Sequence, residues 1–181
     1  MTAPASTLSP LHRPLPGAPS RRDAPDDLGK YQFQVVAANI ADAVVSIGGL
    51  IYDRAMAGWE VSVMVNGDAG DDDRALRILG ARATRRLADP HHARTLSRPH
   101  LLAVATDVMT TSDTVRRHVL GLDDDTEVLL WGRHHPTNLS RRCVGVRHQP
   151  SAAARIFKSQ ALIALGAQVI PRVDEGFYSM A

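Results

Sequence analysis

Tyr31-Gln32-Phe33-Gln34-Val35-Val36-Ala37-Ala38, then Asn39 to Ala57, then Glu60-Val61-Ser62-Val63-Met64-Val65: this stretch decides the fold class. Its first segment begins by alternating and ends as a continuous run of small apolar residues, the pattern of a strand buried on both faces. Between Ala41 and Ala57, Val44, Val45, Ile47, Ile51, Ala55 and Met56 recur at helical spacing, and Gly58 supplies a natural stop. Glu60 to Val65 reads as a second strand. Strand, helix and strand make a βαβ unit, whose helical crossover sets the strands parallel.

The pattern continues toward the C-terminus. Asp72 to Leu87 is predicted as a helix, with Leu76, Leu79, Ala83 and Leu87 on one stripe and the acidic run Asp71-Asp72-Asp73 at its positive end. After an irregular segment bounded by Pro90 and Pro99, Leu101 to Ala105 is a third strand. Ser112 or Asp113 caps a helix through Leu120, and Glu127 to Trp131 is a fourth strand. Gly132 to Gln149 is ambiguous, with Val144 and Val146 marking a short edge strand. Ser151 caps a last helix to Leu165, ended by Gly166, and Gln168-Val169-Ile170 is the fifth strand. Strands alternating with helices predict a three-layer, Rossmann-like α/β sandwich on a mostly parallel sheet of about five strands.

Toward the N-terminus the character changes. Six of the 11 prolines (Pro4, Pro10, Pro14, Pro16, Pro19 and Pro25) fall in the first 25 residues, with few large apolar groups to offset ordering entropy. Residues 1–29 are expected to be a disordered arm, either a solvated tail or a partner-docking peptide, ahead of a single α/β domain over 30–181.

Composition narrows the function classes. Lys+Arg total 21 against 19 Asp+Glu, a net charge of +2, too small to point to nucleic acid or an anionic membrane. All the bases except Lys30 and Lys158 are Arg. The single Cys143 excludes an internal disulfide framework and a multi-cysteine metal knot. No apolar run approaches the roughly 20 residues that span a bilayer, and the N-terminus lacks the charged and apolar regions of a signal peptide. A cytoplasmic protein is expected, with a small molecule or protein as partner and a homo-oligomer compatible with the sequence.

In open parallel sheets ligands bind beyond the carboxyl ends of the strands. That rule collects Asn39 and Asp42 after the first strand, and Asn66 and Asp68 after the second. It adds Thr106 and Asp107 after the third, and Arg133, His134 and His135 after the fourth. Phosphate cradles are absent from the sequence. The loop after the first strand reads Ala38-Asn39-Ile40-Ala41 instead of a glycine-rich turn, Gly48-Gly49 come two helical turns too late, and no G-x-x-x-x-G-K-[ST] occurs. The glycine pair is expected to let the helix approach the sheet closely.

The run Val35 to Gly49, followed by Ala57-Gly58-Trp59-Glu60-Val61-Ser62-Val63, resembles the opening of PIG-L-type N-acetylglucosaminyl deacetylases. Those zinc hydrolases read approximately V-V-x-P-H-P-D-D-E-x-x-x-x-G-G there. Arg74 to Gly80 is similar to the family's helix ending in a leucine-glycine pair, so that the resemblance covers about residues 33–82. It implies a zinc ligand at the His position, a general base at the first Asp and a second ligand at the next Asp. These fall on Asn39, Ala41 and Asp42. A third ligand, from an H-P-D-H-like stretch, has its nearest match in His135-Pro136-Thr137-Asn138, which puts Asn138 where the His belongs. A catalytic zinc needs about three protein donors, and a carboxamide is a poor one. What the resemblance implies is therefore a PIG-L-like fold without catalytic residues or cofactor, zinc being disfavoured, with a ligand or partner at the carboxyl edge.

Two alternatives stand beside that reading. One is a divergent metal-dependent hydrolase using Asp42, His134 and His135; the other is a scaffold acting through the arm and through assembly. The pairs His91-His92 and His134-His135 fall in predicted loops, where solvated histidines are the simpler reading. Cys143 has His148 as its nearest base in sequence and is expected to be packed. Arg74, Arg77, Arg82 and Arg85 are expected on one face of the Asp72–Leu87 helix, with Arg86 on its flank, as a local anion-attracting surface.

Overall fold

The computed structural model describes residues 30–65, 73–85, 99–122, 125–132, 143–167 and 173–180. The expected N-terminal arm, the strand over 168–170 and the pair His91-His92 lie outside them. The elements in order are β1 (Gln32–Ala37), α1 (Ile40–Met56), β2 (Glu60–Val65), α2 (Arg74–Ile78), β3 (Arg82–Arg85) and β4 (Leu101–Ala105). They continue as α3 (Thr106–Thr111), α4 (Asp113–Leu120), β5 (Glu127–Trp131), β6 (Cys143–His148), α5 (Ala152–Ala164) and β7 (Glu175–Met180).

Among the described residues the sheet has seven strands in the order β3-β2-β1-β4-β5-β7-β6, against the expected five or so. The pairings from β3 across to β5 are parallel, and β7 is antiparallel to both of its neighbours. From β1 the chain steps through α1 to β2 in one direction, and from β4 through α3 and α4 to β5 in the other. Right-handed crossovers then put α1 and α2 on one face and the α3–α4 pair on the other. Later in the chain α5 packs on α1 and α2, completing their layer. Central strands between two helical layers need apolar side chains on both sides, and β4 is buried throughout, as is β1 from Phe33 to Ala37.

The helix expected over Asp72–Leu87 is corrected. α2 ends after one turn because Gly80 adopts a left-handed φ of 76°. The amide of Ala81 then donates to Leu76 O (2.9 Å) and that of Gly80 to Arg77 O (3.0 Å), a helix-terminating pair of bonds that only glycine adopts without strain. Beyond it the chain runs as β3 beside β2. The expected arginine face is thereby divided. Arg77 pairs with Asp73 on α2 at 3.0 Å, whereas Arg82, on β3, pairs with Glu60 at 3.4 Å. The edge strand suggested by Val144 and Val146 is β6, six residues long at the sheet margin.

Helix α1 is broken at Ile47, whose φ of −135° and ψ of 15° leave the helical region. The amides freed just after the break do not face water. Those of Gly49 and Leu50 donate to the two carboxylate oxygens of Glu175, at 2.8 and 2.9 Å. The same carboxylate pairs with Lys158 Nζ at 2.6 Å, and both side chains are 1% exposed. Gly48 and Gly49 permit this approach, which meets the expected sheet at Glu175 of β7 and otherwise α5 and Pro150. A Cβ on Gly48 would lie 3.2 Å from Lys158 Cγ, and one on Gly49 only 2.6 Å from Pro150 Cγ. The glycine pair fits α1 to α5, to the segment before it and to Glu175 at the start of β7.

Candidate functional site

The directions taken from β1 and β4 diverge, and the crevice beyond their carboxyl ends is where ligands sit in open α/β sheets. Four of the nine side chains collected from the sequence are described, namely Asn39, Asp42, Thr106 and Asp107. Asn66, Asp68, Arg133, His134 and His135 lie outside the described residues, as does Asn138.

Asn39 follows β1 with extended backbone and acts as the N-cap of α1, its Oδ1 accepting from Asp42 N at 2.8 Å. Asp42 stands half-buried in the first turn, where the helix N-terminus favours its charge. Its Oδ1 accepts from Ser46 Oγ, one turn on, at 3.2 Å. Its Oδ2 accepts from Trp131 Nε1 at 3.3 Å. Trp131 closes β5 and is 3% exposed, and it reaches a residue 89 positions earlier in the chain. Sequence reasoning missed it as a site residue. The available signal was an indole, which needs a hydrogen-bond acceptor when buried, at the carboxyl end of a strand.

Asp107 lies exposed in the first turn of α3, and its carbonyl accepts from the hydroxyls of Thr110 and Thr111 at 2.9 and 2.8 Å. Just before it, Thr106 is buried, and its hydroxyl has no hydrogen-bond partner among the described residues. Gly132, with φ 139°, brings its backbone against Thr106 so closely that a Cβ would collide with that hydroxyl. The ends of β1, β4 and β5 thus present an amide, two carboxylates, an indole N–H and a buried hydroxyl. This set can donate and accept hydrogen bonds, and among the described residues it contains no histidine or thiol.

A zinc ion does not fit these residues. Asn39 spends its carboxamide oxygen on the helix cap, Ala41 carries no polar side chain, and both Asp42 oxygens already accept hydrogen bonds. Among the described residues no group of three His, Cys, Asp or Glu stands where it could hold a metal ion. Cys143 packs at the margin of the core, and burial raises its thiol pKa, which disfavours the thiolate. His148 is at the other end of β6 with Nε2 2.9 Å from Asp53 Oδ2, which also accepts from Ser151 N at 3.1 Å. No helix among the described residues is long and apolar enough to cross a membrane.

No protein-family model matches the chain, and no curated protein matches it significantly. Solved structures do. The A40926 pseudoaglycone deacetylase Dbv21 superposes with a TM-score of 0.57 at 14% identity, covering 84% of this chain and 97% of its own. The zinc-inhibited form of teicoplanin deacetylase Orf2 gives 0.55 at 13%, covering 83% and 98%. GalB, the 4-carboxy-2-hydroxymuconate hydratase from Pseudomonas putida KT2440, gives 0.50 at 13%, covering 83% and 95%. The chain shares its fold with these proteins, and the resemblance to PIG-L-type deacetylases read from the first βαβ unit extends, as fold, over most of its length.

Proposed function

We propose that this protein is a PIG-L-like domain that has exchanged metal chemistry for binding, holding a small polar ligand at the carboxyl ends of β1, β4 and β5. The observation that carries the reading is the state of Asp42. The one residue kept at a ligand position of the resembled motif is bound to Trp131 and Ser46, where it acts as a strut between α1 and β5. Ala41, at the position of the general base in the resembled motif, carries no group that could activate water. The unpartnered Thr106 hydroxyl supports a ligand with hydrogen-bonding groups, since a buried hydroxyl without a partner costs stability that a ligand can recover. On composition we place the protein in the cytoplasm as a single domain with an N-terminal arm.

A thermal-shift screen of the full chain against small polar metabolites tests this. A ligand of this site raises the melting temperature of the native chain and not of Thr106→Val, because folding is linked to ligand occupancy. If no compound shifts the native chain, the ligand reading fails, and if shifts persist unchanged in Thr106→Val the ligand sits elsewhere.

A further inference from the structure

At the opposite, amino edge of the sheet, three adjacent parallel strands are each preceded by a ring. Tyr31 precedes β1, Trp59 precedes β2 and His100 precedes β4. The rings form one cluster. Tyr31 stacks on Trp59 with centroids 5.0 Å apart and meets His100 at 4.6 Å, while the Arg54 guanidinium lies 4.9 Å from the centre of the Trp59 ring. The backbone fixes the platform. Glu60 N donates to Tyr31 O (2.9 Å), and His100 both donates its amide to Gln32 O (3.0 Å) and accepts the Gln32 amide on Nδ1 (3.1 Å). Tyr31 nevertheless remains 59% exposed.

Stacked Tyr and Trp rings held on a rigid scaffold are the surface that proline-rich segments recognise, because a polyproline II turn is already ordered and its rings pack on aromatic faces. The sequence supplies such a segment in Arg13-Pro14-Leu15-Pro16-Gly17-Ala18-Pro19, separated from Tyr31 by residues 20–30. With three residues per turn, Pro16 and Pro19 fall on the same edge of a polyproline II helix. An intervening stretch of that length reaches at most about 36 Å, enough to return to its own anchor. It also holds the segment at an effective concentration of about millimolar, so weak contacts suffice. Arg13 and Arg21 flank the two prolines, whereas the Glu60 carboxylate that follows Trp59 is already bonded to Gln32 Nε2 (2.9 Å) and Arg82 (3.4 Å), so the docking rests on the rings.

We infer that the Tyr31–Trp59–His100 platform is a docking surface for the chain's own Pro16–Pro19 segment, in cis. The nuclear magnetic resonance spectrum of the full chain tests this, since the two tryptophans give two indole signals that Trp59→Phe assigns. The expected result is contact between the ring protons of Pro16 or Pro19 and those of Tyr31, at an intensity independent of protein concentration. Pro16→Ser/Pro19→Ser then shifts the Trp59 indole and Tyr31 ring signals and leaves Trp131 in place, and Tyr31→Ser returns the proline signals to free-peptide positions. The inference is overturned if the native prolines already stand at free-peptide positions and the double substitution moves neither ring. It is equally overturned if the contacts strengthen with concentration, which identifies the occupant as a second copy.

Discussion

Two polar constellations hold helix α1, one at its N-terminus and one at its break, and they differ in what surrounds them. At the N-terminus Asn39 and Asp42 bond locally and to Trp131, with Asn39 exposed and Asp42 half-buried. At the break, Glu175 and Lys158 satisfy each other and two backbone amides in a dry interior. Water can replace a lost partner at the first place and not at the second. Among the described residues the buried electrostatic pairing holds the shape of α1 at its break, while at its N-terminus Asp42 ties α1 to β5 by a single longer bond.

The largest expected effect lies at the break. Glu175→Ala leaves a buried ammonium and two amides unpaired and should cost about 3–5 kcal/mol in urea unfolding. Lys158→Met, which leaves the carboxylate its two amide donors, should cost less. A comparable loss in Asp42→Ala would erase the distinction between the two ends. Next comes Gly132→Ala, which forces a φ of 139° on alanine and a Cβ into Thr106. It should cost about 1–3 kcal/mol, and an unchanged denaturation midpoint would refute the close packing. Asp42→Ala and Trp131→Phe each remove one long hydrogen bond between α1 and β5, and each is expected to cost about 1 kcal/mol. Made together they should cost less than the sum, a double-mutant cycle that measures the strut itself.

The smallest effect is in the pH dependence. Burial holds the His118 imidazole below its usual pKa, so below about pH 6.5 the unfolded chain takes up a proton that the folded one resists. Stability from this group is complete above the unfolded pKa and declines as pH falls through the window down to the folded value. His118→Gln should flatten that part of the urea-midpoint profile, and an unaltered profile would assign the pH dependence elsewhere.

These regions also differ in how plainly the sequence announced them. β1, β2, β4 and β5 were legible as apolar runs, α1 as an apolar helical period stopped by Gly58, and α5 by its cap Ser151. β3 was hidden by a leucine period that continues across Gly80, and an edge strand of Arg82-Ala83-Thr84-Arg85 has little apolar signature of its own. β7 opens on a buried glutamate, which no hydrophobic pattern predicts. The crevice residues Asn39, Asp42 and Asp107 followed from the strand-end rule, which is local. Trp131 with Asp42, and Glu175 with Gly49, are partnerships across 89 and 126 positions, set by strand order that one sequence does not disclose.

If Asp42 serves as a strut and not as a metal ligand, protein purified without chelator carries no stoichiometric zinc, and added zinc leaves its melting temperature unchanged. One zinc per chain, lost on Asp42→Ala, would contradict that role and return the crevice to metal chemistry.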